Sequence, residues 1–227
     1  MTKLVICNWK MNGSVQLVDS FISSLPQSND SCWNLVIAMP HVFLSYVNSK
    51  SPRFKLAAQD CSIYGGFGAR TGEISADILA SIGVEYIIVG HSERRAHGDD
   101  VESVYAKMEN AVRCNITPIL CVSDDYESQI TNRTEELLRR RRDAVILAYE
   151  PVSAIGTGVT PSIDDIRETI TRLRSRYGVN SIAYGGSVTS DNAQDVMGIN
   201  GISGALVGGA SLKLRELSAI LNPREFI

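Results

Sequence analysis

The sequence predicts an α/β protein: one domain over residues 1–227, a (β/α)8 barrel with eight parallel strands. Three features carry that prediction. Short apolar runs recur along the chain, the segments between them have helical periodicity, and no linker or low-complexity tract interrupts the series. The runs are Lys3–Cys7, Asn34–Met39, Phe54–Gln59, Tyr86–Gly90, Thr117–Val122, Ala144–Tyr149, Ser181–Gly185 and Gly204–Gly208. They are rich in Val, Ile, Leu and Ala and barely alternate, as strands buried on both faces do. Successive runs start roughly 20 to 37 residues apart, which suits a barrel of about 200–250 residues. An open doubly wound sheet is the alternative. Against it, no G-x-G-x-x-G follows the first run; Trp9-Lys10-Met11-Asn12 stands there instead.

The intervening helices can be placed by their stripes and caps. Asp99–Cys114 puts Val101, Val104, Tyr105, Met108, Ala111 and Val112 on one helical face. Ser75 can cap a helix over Ala76–Ile82 that Gly83 ends. Thr160-Pro161 reads as the start of another. Arg139–Arg142 falls at the end of a helical segment, where cations favour the helix dipole, so it reads as a solvated helix end.

Composition excludes several classes. A 227-residue chain with 44% hydrophobic and 21% charged residues can bury a core without staples. No apolar run reaches 18 residues, so no membrane-spanning helix is expected. The first strand begins too early to leave room for a signal peptide. A net charge of -3 argues against nucleic acid as a partner. The cysteines at 7, 32, 61, 114 and 121 form no C-x-x-C pair, and the three histidines no H-x-x-x-H. Neither a disulfide framework nor a zinc site is expected, and reduced cysteines point to the cytoplasm.

In such a barrel, chemistry sits at the C-terminal ends of the strands. Asn8 and Lys10 end strand one, Gln59 and Asp60 strand three, and Gly90-His91-Ser92-Glu93-Arg94 strand four. Glu150-Pro151 ends strand six, Gly185-Gly186-Ser187 strand seven and Gly208-Gly209 strand eight. The two glycine pairs read either as an anion site of bare N–H groups or as tight turns needing positive φ. Glu150 follows an apolar strand, so it needs either a function or an ion-pair partner. Val152–Pro161 is small, apolar and glycine-containing, which suits a mobile lid that excludes water. His91 opens a helix, whose N-terminus favours the neutral imidazole.

These residues resemble the triosephosphate isomerase family, whose fold is the TIM barrel. The matching blocks include Asn8-Trp9-Lys10-Met11-Asn12, Ala58-Gln59-Asp60, Gly90-His91-Ser92-Glu93-Arg94-Arg95, Ala148-Tyr149-Glu150-Pro151-Val152, Tyr184-Gly185-Gly186-Ser187-Val188 and Leu206-Val207-Gly208-Gly209-Ala210-Ser211-Leu212. They run in the family's order over nearly the whole chain. The resemblance implies interconversion of dihydroxyacetone phosphate and D-glyceraldehyde 3-phosphate, without cofactor or metal. It implies Glu150 as the base and a neutral His91 as the electrophile, the established division of labour in this family. Lys10 and Asn8 are implied to hold substrate and stabilise the enediolate, with Glu93 handling protons near Lys10. Gly156, Ser187, Gly208 and Gly209 are implied to grip the phosphate. It also implies a homodimer in which the Cys61–Glu73 loop, with Thr71 and Glu73, contacts the partner.

The chain departs from the family pattern at Ser153, where the lid hinge usually carries tryptophan, and at Arg70, usually aromatic. Asp60, His97-Gly98-Asp99 and Ser123-Asp124 also differ. A non-catalytic phosphate-binding barrel with an interaction role is the alternative function; it could dispense with Glu150, His91 and Lys10. An aldolase-like barrel would want a Schiff-base lysine or metal ligands inside the barrel; no lysine lies in strands four to eight, and the sequence shows no metal-ligand cluster at the strand ends.

Overall fold

The structure, a computed structural model, describes residues 3–25, 33–50, 52–154 and 160–221. Eight parallel strands close into a barrel in sequence order. They are β1 (Lys3–Asn8), β2 (Trp33–Met39), β3 (Lys55–Ala58), β4 (Tyr86–Val89), β5 (Thr117–Val122), β6 (Ile146–Tyr149), β7 (Ser181–Tyr184) and β8 (Gly204–Val207). Helices fill each crossover, so each strand is covered outside by a helix and inside by other strands.

Two cores follow from the pleat. Ile6, Val36, Ala57, Ile88, Ile119, Ile146 and Leu206 point into the barrel with Cys121. Val5, Cys7, Ile37, Ile87, Leu120, Leu147 and Ile182 face the helices. Burying each large aliphatic side chain stabilises the fold by about 1.5–3 kcal/mol. The seam between first and last strands depends on Gly204, where a Cβ would lie 2.4 Å from the Leu4 carbonyl oxygen.

The helices keep their caps with one revision. The Ser75 hydroxyl accepts the Ile78 N–H, the helix runs Ala76–Ser81, and Gly83 follows at φ +79°. Asp100 caps Val101–Arg113 through the Ser103 N–H. The third helix does not open at Thr160-Pro161. It spans Ile163–Tyr177 and is capped by Ser162, which accepts the Asp165 N–H. The arginine run does end a helix, Asn132–Arg140, with Arg139 reaching Glu135 one turn back. No helix among the described residues is long and apolar enough to cross a membrane.

Register sets the rim. Cys7 pairs with Val207, so Asn8 lies beside Gly208. Val89 pairs with Leu120, Val122 with Tyr149, and Tyr149 with Tyr184. Those pairings put Gly90 beside Cys121, and Glu150 between Ser123 and Gly185, one residue past each strand.

Candidate active site

A cavity of about 290 Å³ opens at this rim, lined by Asn8, Lys10, His91, Glu150, Gly208 and Gly209 among others. Its cation is held by the backbone. Lys10 has φ +51°, a left-handed conformation that costs a non-glycine residue about 1–2 kcal/mol. Three side chains hold that turn: Asn8 Oδ1 accepts the Lys10 N–H at 3.0 Å, Gln59 Nε2 donates to the Lys10 carbonyl at 2.9 Å, and Asn12 Nδ2 donates to the Trp9 carbonyl at 2.8 Å. Trp9 is buried edge-on to Phe21 and anchors the turn below. The Lys10 chain thus runs inward, its Nζ 2.7 Å from Glu93 Oε1. Partial burial pushes the Glu93 carboxyl up, but the Lys10 hydrogen bond and charge, with His91 nearby, outweigh it, leaving a net lowering.

Gln59 was visible at a strand end but carries no role in the sequence reading. Its task emerges only from the left-handed turn it clamps. Gln59→Leu is expected to lower kcat/KM by about tenfold, because a misplaced charge loses preorganisation. Steady-state kinetics and a urea melt check this, with about 1–2 kcal/mol of stability lost with its two hydrogen bonds, to the Lys10 carbonyl and, at 3.0 Å, the Ala38 carbonyl.

His91 is 4% exposed and caps the short helix Ser92–Ala96. Its Nδ1 accepts the Glu93 N–H at 3.2 Å. A backbone N–H only donates, so Nδ1 carries no proton and Nε2–H is the donor of the neutral ring. Nε2 faces Glu150 Oε1 at 3.5 Å.

Glu150 is 5% exposed, and its Oε2 has no hydrogen-bond partner. Its N–H donates to the Val122 carbonyl at 2.8 Å, which fixes the residue's direction. Burial pushes the carboxyl up; His91, a hydrogen bond from Cys121 and the Lys10 charge pull the other way and lose. Cys121 lies on the inner face of the barrel. It packs as a small hydrophobe, yet it also touches the candidate base.

The glycine pairs need correction. None of Gly185, Gly186, Gly208 or Gly209 has positive φ; the left-handed residue of the seventh loop is Ser187, at φ +48°. Two of these glycines clear space instead. A Cβ on Gly185 would lie 2.7 Å from Glu150 Cγ, and one on Gly186 2.4 Å from the Tyr184 hydroxyl. Gly185→Ala is therefore expected to displace the Glu150 side chain and cost about 1–3 kcal/mol of stability by overpacking, read by thermal melting alongside activity. The Ser187 hydroxyl donates to the Ala154 carbonyl. The cavity also takes in Thr189 and Glu216, which sequence reading did not single out.

Thr71 and Glu73 lie away from this cavity, on the exposed Cys61–Glu73 loop. Glu73 bonds the Ser62 hydroxyl, and the Ser62 N–H closes the loop's base on the Ile74 carbonyl at 2.8 Å. Arg70 stacks on Tyr64, 3.7 Å from the ring centroid. Asp60 and Asp99 both bind the buried Lys107, at 2.8 and 2.6 Å. Gly156 and most of the lid segment lie outside the described residues. Among the described residues, no group of three or more His, Cys, Asp and Glu is arranged to hold a metal ion.

The sequence profile described as triosephosphate isomerase matches residues 3–224. The chain belongs to the triosephosphate isomerase family. Proteins named triosephosphate isomerase from Alkaliphilus oremlandii (strain OhILAs) and Francisella tularensis subsp. novicida (strain U112) are 38% and 35% identical to it. Each alignment covers 98% of this chain, and 100% and 97% of the relative. The family is one of isomerases, and the chain is an enzyme of that class.

Proposed function

We propose that this chain is a triosephosphate isomerase, acting on dihydroxyacetone phosphate and D-glyceraldehyde 3-phosphate through an enediolate. The observation that carries the reading is Glu150: a buried carboxylate with an unpartnered oxygen, sharing one cavity with Lys10 and the His91 Nε2–H. Glu150 takes the proton from one substrate carbon and returns it to the next. His91 donates Nε2–H to the carbonyl oxygen, and its neutral ring moves protons between the two oxygens. Lys10 and Asn8 stabilise the negative charge as it develops. Glu93 holds Lys10 in place and handles protons beside it. Ser187, Gly208, Gly209 and Gly156 hold the phosphate, and the lid excludes water. The reaction needs no cofactor, and we place it in the cytoplasm, in glycolysis and gluconeogenesis.

A homodimer belongs to the same proposal. Met11, Val42 and Phe67 are 97%, 80% and 79% exposed, which is unusual for large apolar side chains kept in water. Met11 adjoins Lys10, while Phe67 rides the loop that carries Thr71. Burying such side chains against a second copy, with Thr71 and Glu73 at the contact, accounts for their exposure in one chain.

The test is a coupled assay on glyceraldehyde 3-phosphate, run with sedimentation velocity. Turnover by a dimer is the expected result. A folded protein without turnover favours the non-catalytic phosphate-binding barrel, and a fully active monomer removes the dimer from the proposal.

A further inference from the structure

A second cavity, of about 170 Å³, shares Glu150 with the lining of the substrate cavity. Its polar walls are Arg95, Gln129, Ser123 and Ser92, with Cys121 and Glu150 closing one side. The half-buried Arg95 has only main-chain acceptors: Nε donates to the Gly90 carbonyl at 2.7 Å, and Nη2 lies 3.4 Å from the Cys121 carbonyl. A guanidinium has five N–H donors. The remaining ones meet no acceptor, and no carboxylate pairs with Arg95, among the described residues.

Asp99 acts on Arg95 only through its charge, and the lack of a directly paired carboxylate contrasts with the other buried cation. Lys107, also buried, is neutralised by both Asp60 and Asp99. The acid on the loop after β5, Asp124, is committed elsewhere: it accepts from the Tyr149 hydroxyl at 2.7 Å and the Val152 N–H at 3.3 Å. The guanidinium's place is nonetheless built for it. A Cβ on Gly90 would come within 2.7 Å of Arg95 Nη2, so the chain clears that space with a glycine at φ +67°. Gln129 is fixed opposite, its Oε1 accepting the Ser123 N–H at 2.9 Å and its Nε2 donating to the Ser123 hydroxyl at 2.6 Å. That leaves one amide N–H and the Ser123 O–H hydrogen as further donors.

We propose that this cavity binds a small inorganic oxyanion, held by Arg95 with Gln129 and Ser123. The guanidinium fork matches two oxygens of such an anion, which supplies the hydrogen-bonded counter-charge that Asp99 does not, and the Arg95 charge offsets the repulsion from Glu150 on the cavity wall. The volume, about 170 Å³, has room for a tetrahedral oxyanion. The site does not depend on the isomerase reading, because its test uses no turnover.

Selenate soaked into crystals of the full chain tests it by anomalous scattering. The expected result is a selenium peak with its oxygens about 3 Å from the Arg95 Nη atoms. A peak at Gly208-Gly209 serves as an internal control for anion binding at the phosphate loops. Gln129→Glu keeps the Oε1 acceptor for Ser123 but puts a carboxylate opposite Arg95. In that variant the Arg95 peak is expected to vanish while the control peak stays. In solution, sulfate at matched ionic strength is expected to raise the wild-type Tm by about 2 °C more than that of Gln129→Glu. Selenate at Gly208-Gly209 alone, or an Arg95 peak that persists in Gln129→Glu, overturns the proposal.

Discussion

Glu150→Gln lowers kcat by about 10³-fold and leaves KM within about threefold, the range for loss of a general base that acts in the transition state. The amide has nearly the same shape, so it keeps the cavity and the Cys121 contact, but it cannot take a proton. Glu150→Asp withdraws the carboxylate by one methylene and costs about 10²-fold through misplacement alone. The pH profile should carry the same signature. Burial holds the Glu150 carboxyl above its ordinary value, and the reaction needs the carboxylate. Activity therefore falls as pH drops through that raised pKa, and the acid limb of kcat/KM lies above the usual carboxyl range.

Stability moves the opposite way. A carboxyl whose folded pKa is raised binds its proton more tightly folded than unfolded. The folded state then loses stability as pH rises from the unfolded value through the folded one, and the full cost is present above the folded pKa. Glu150→Gln removes the charge and should be more stable by about 1 kcal/mol at pH 7. Urea denaturation checks this; a variant less stable than wild type would mean that the carboxylate's contacts with His91 and Cys121 outweigh the cost of burying it.

Lys10→Ala lowers kcat by about 10²–10³-fold, the scale for removing one preorganised donor to developing negative charge. Unlike the Glu150 variants it also raises KM, by about tenfold, because the same ammonium attracts the substrate's negative charge before reaction. Alanine leaves Glu93 without the partner at 2.7 Å that lowers its pKa. Lys10→Arg separates charge from placement: the longer planar group keeps the charge but not the position. It should recover binding more than turnover, and kcat and KM measured across the three proteins test that split.

Much of the barrel was legible because every strand is buried on both faces and reads as an unbroken apolar run. The Ile163 helix was misplaced because Thr160 and Ser162 offer the same cap chemistry two residues apart. Lys10, His91 and Glu150 were found by position, since residues just past these strands must meet at one rim. What stayed hidden depends on contacts between distant segments. Gln59 matters because Lys10 adopts a positive φ. Gly185 matters because its neighbour across the sheet is Glu150. Lys107 falls among the helix's buried positions yet meets two carboxylates from other segments. Arg95 reads as one more arginine until the structure gives it only main-chain acceptors.

The most direct test of the proton transfer follows glyceraldehyde 3-phosphate by proton NMR in D₂O with the wild-type protein. A base working through an enediolate exchanges its proton with solvent, so the expected product is dihydroxyacetone phosphate carrying deuterium at the carbon that receives the proton, with formation suppressed in Glu150→Gln. Unchanged substrate after prolonged incubation with the folded wild-type protein, or equal turnover by Glu150→Gln, would contradict the assignment of Glu150 as the base of an isomerase.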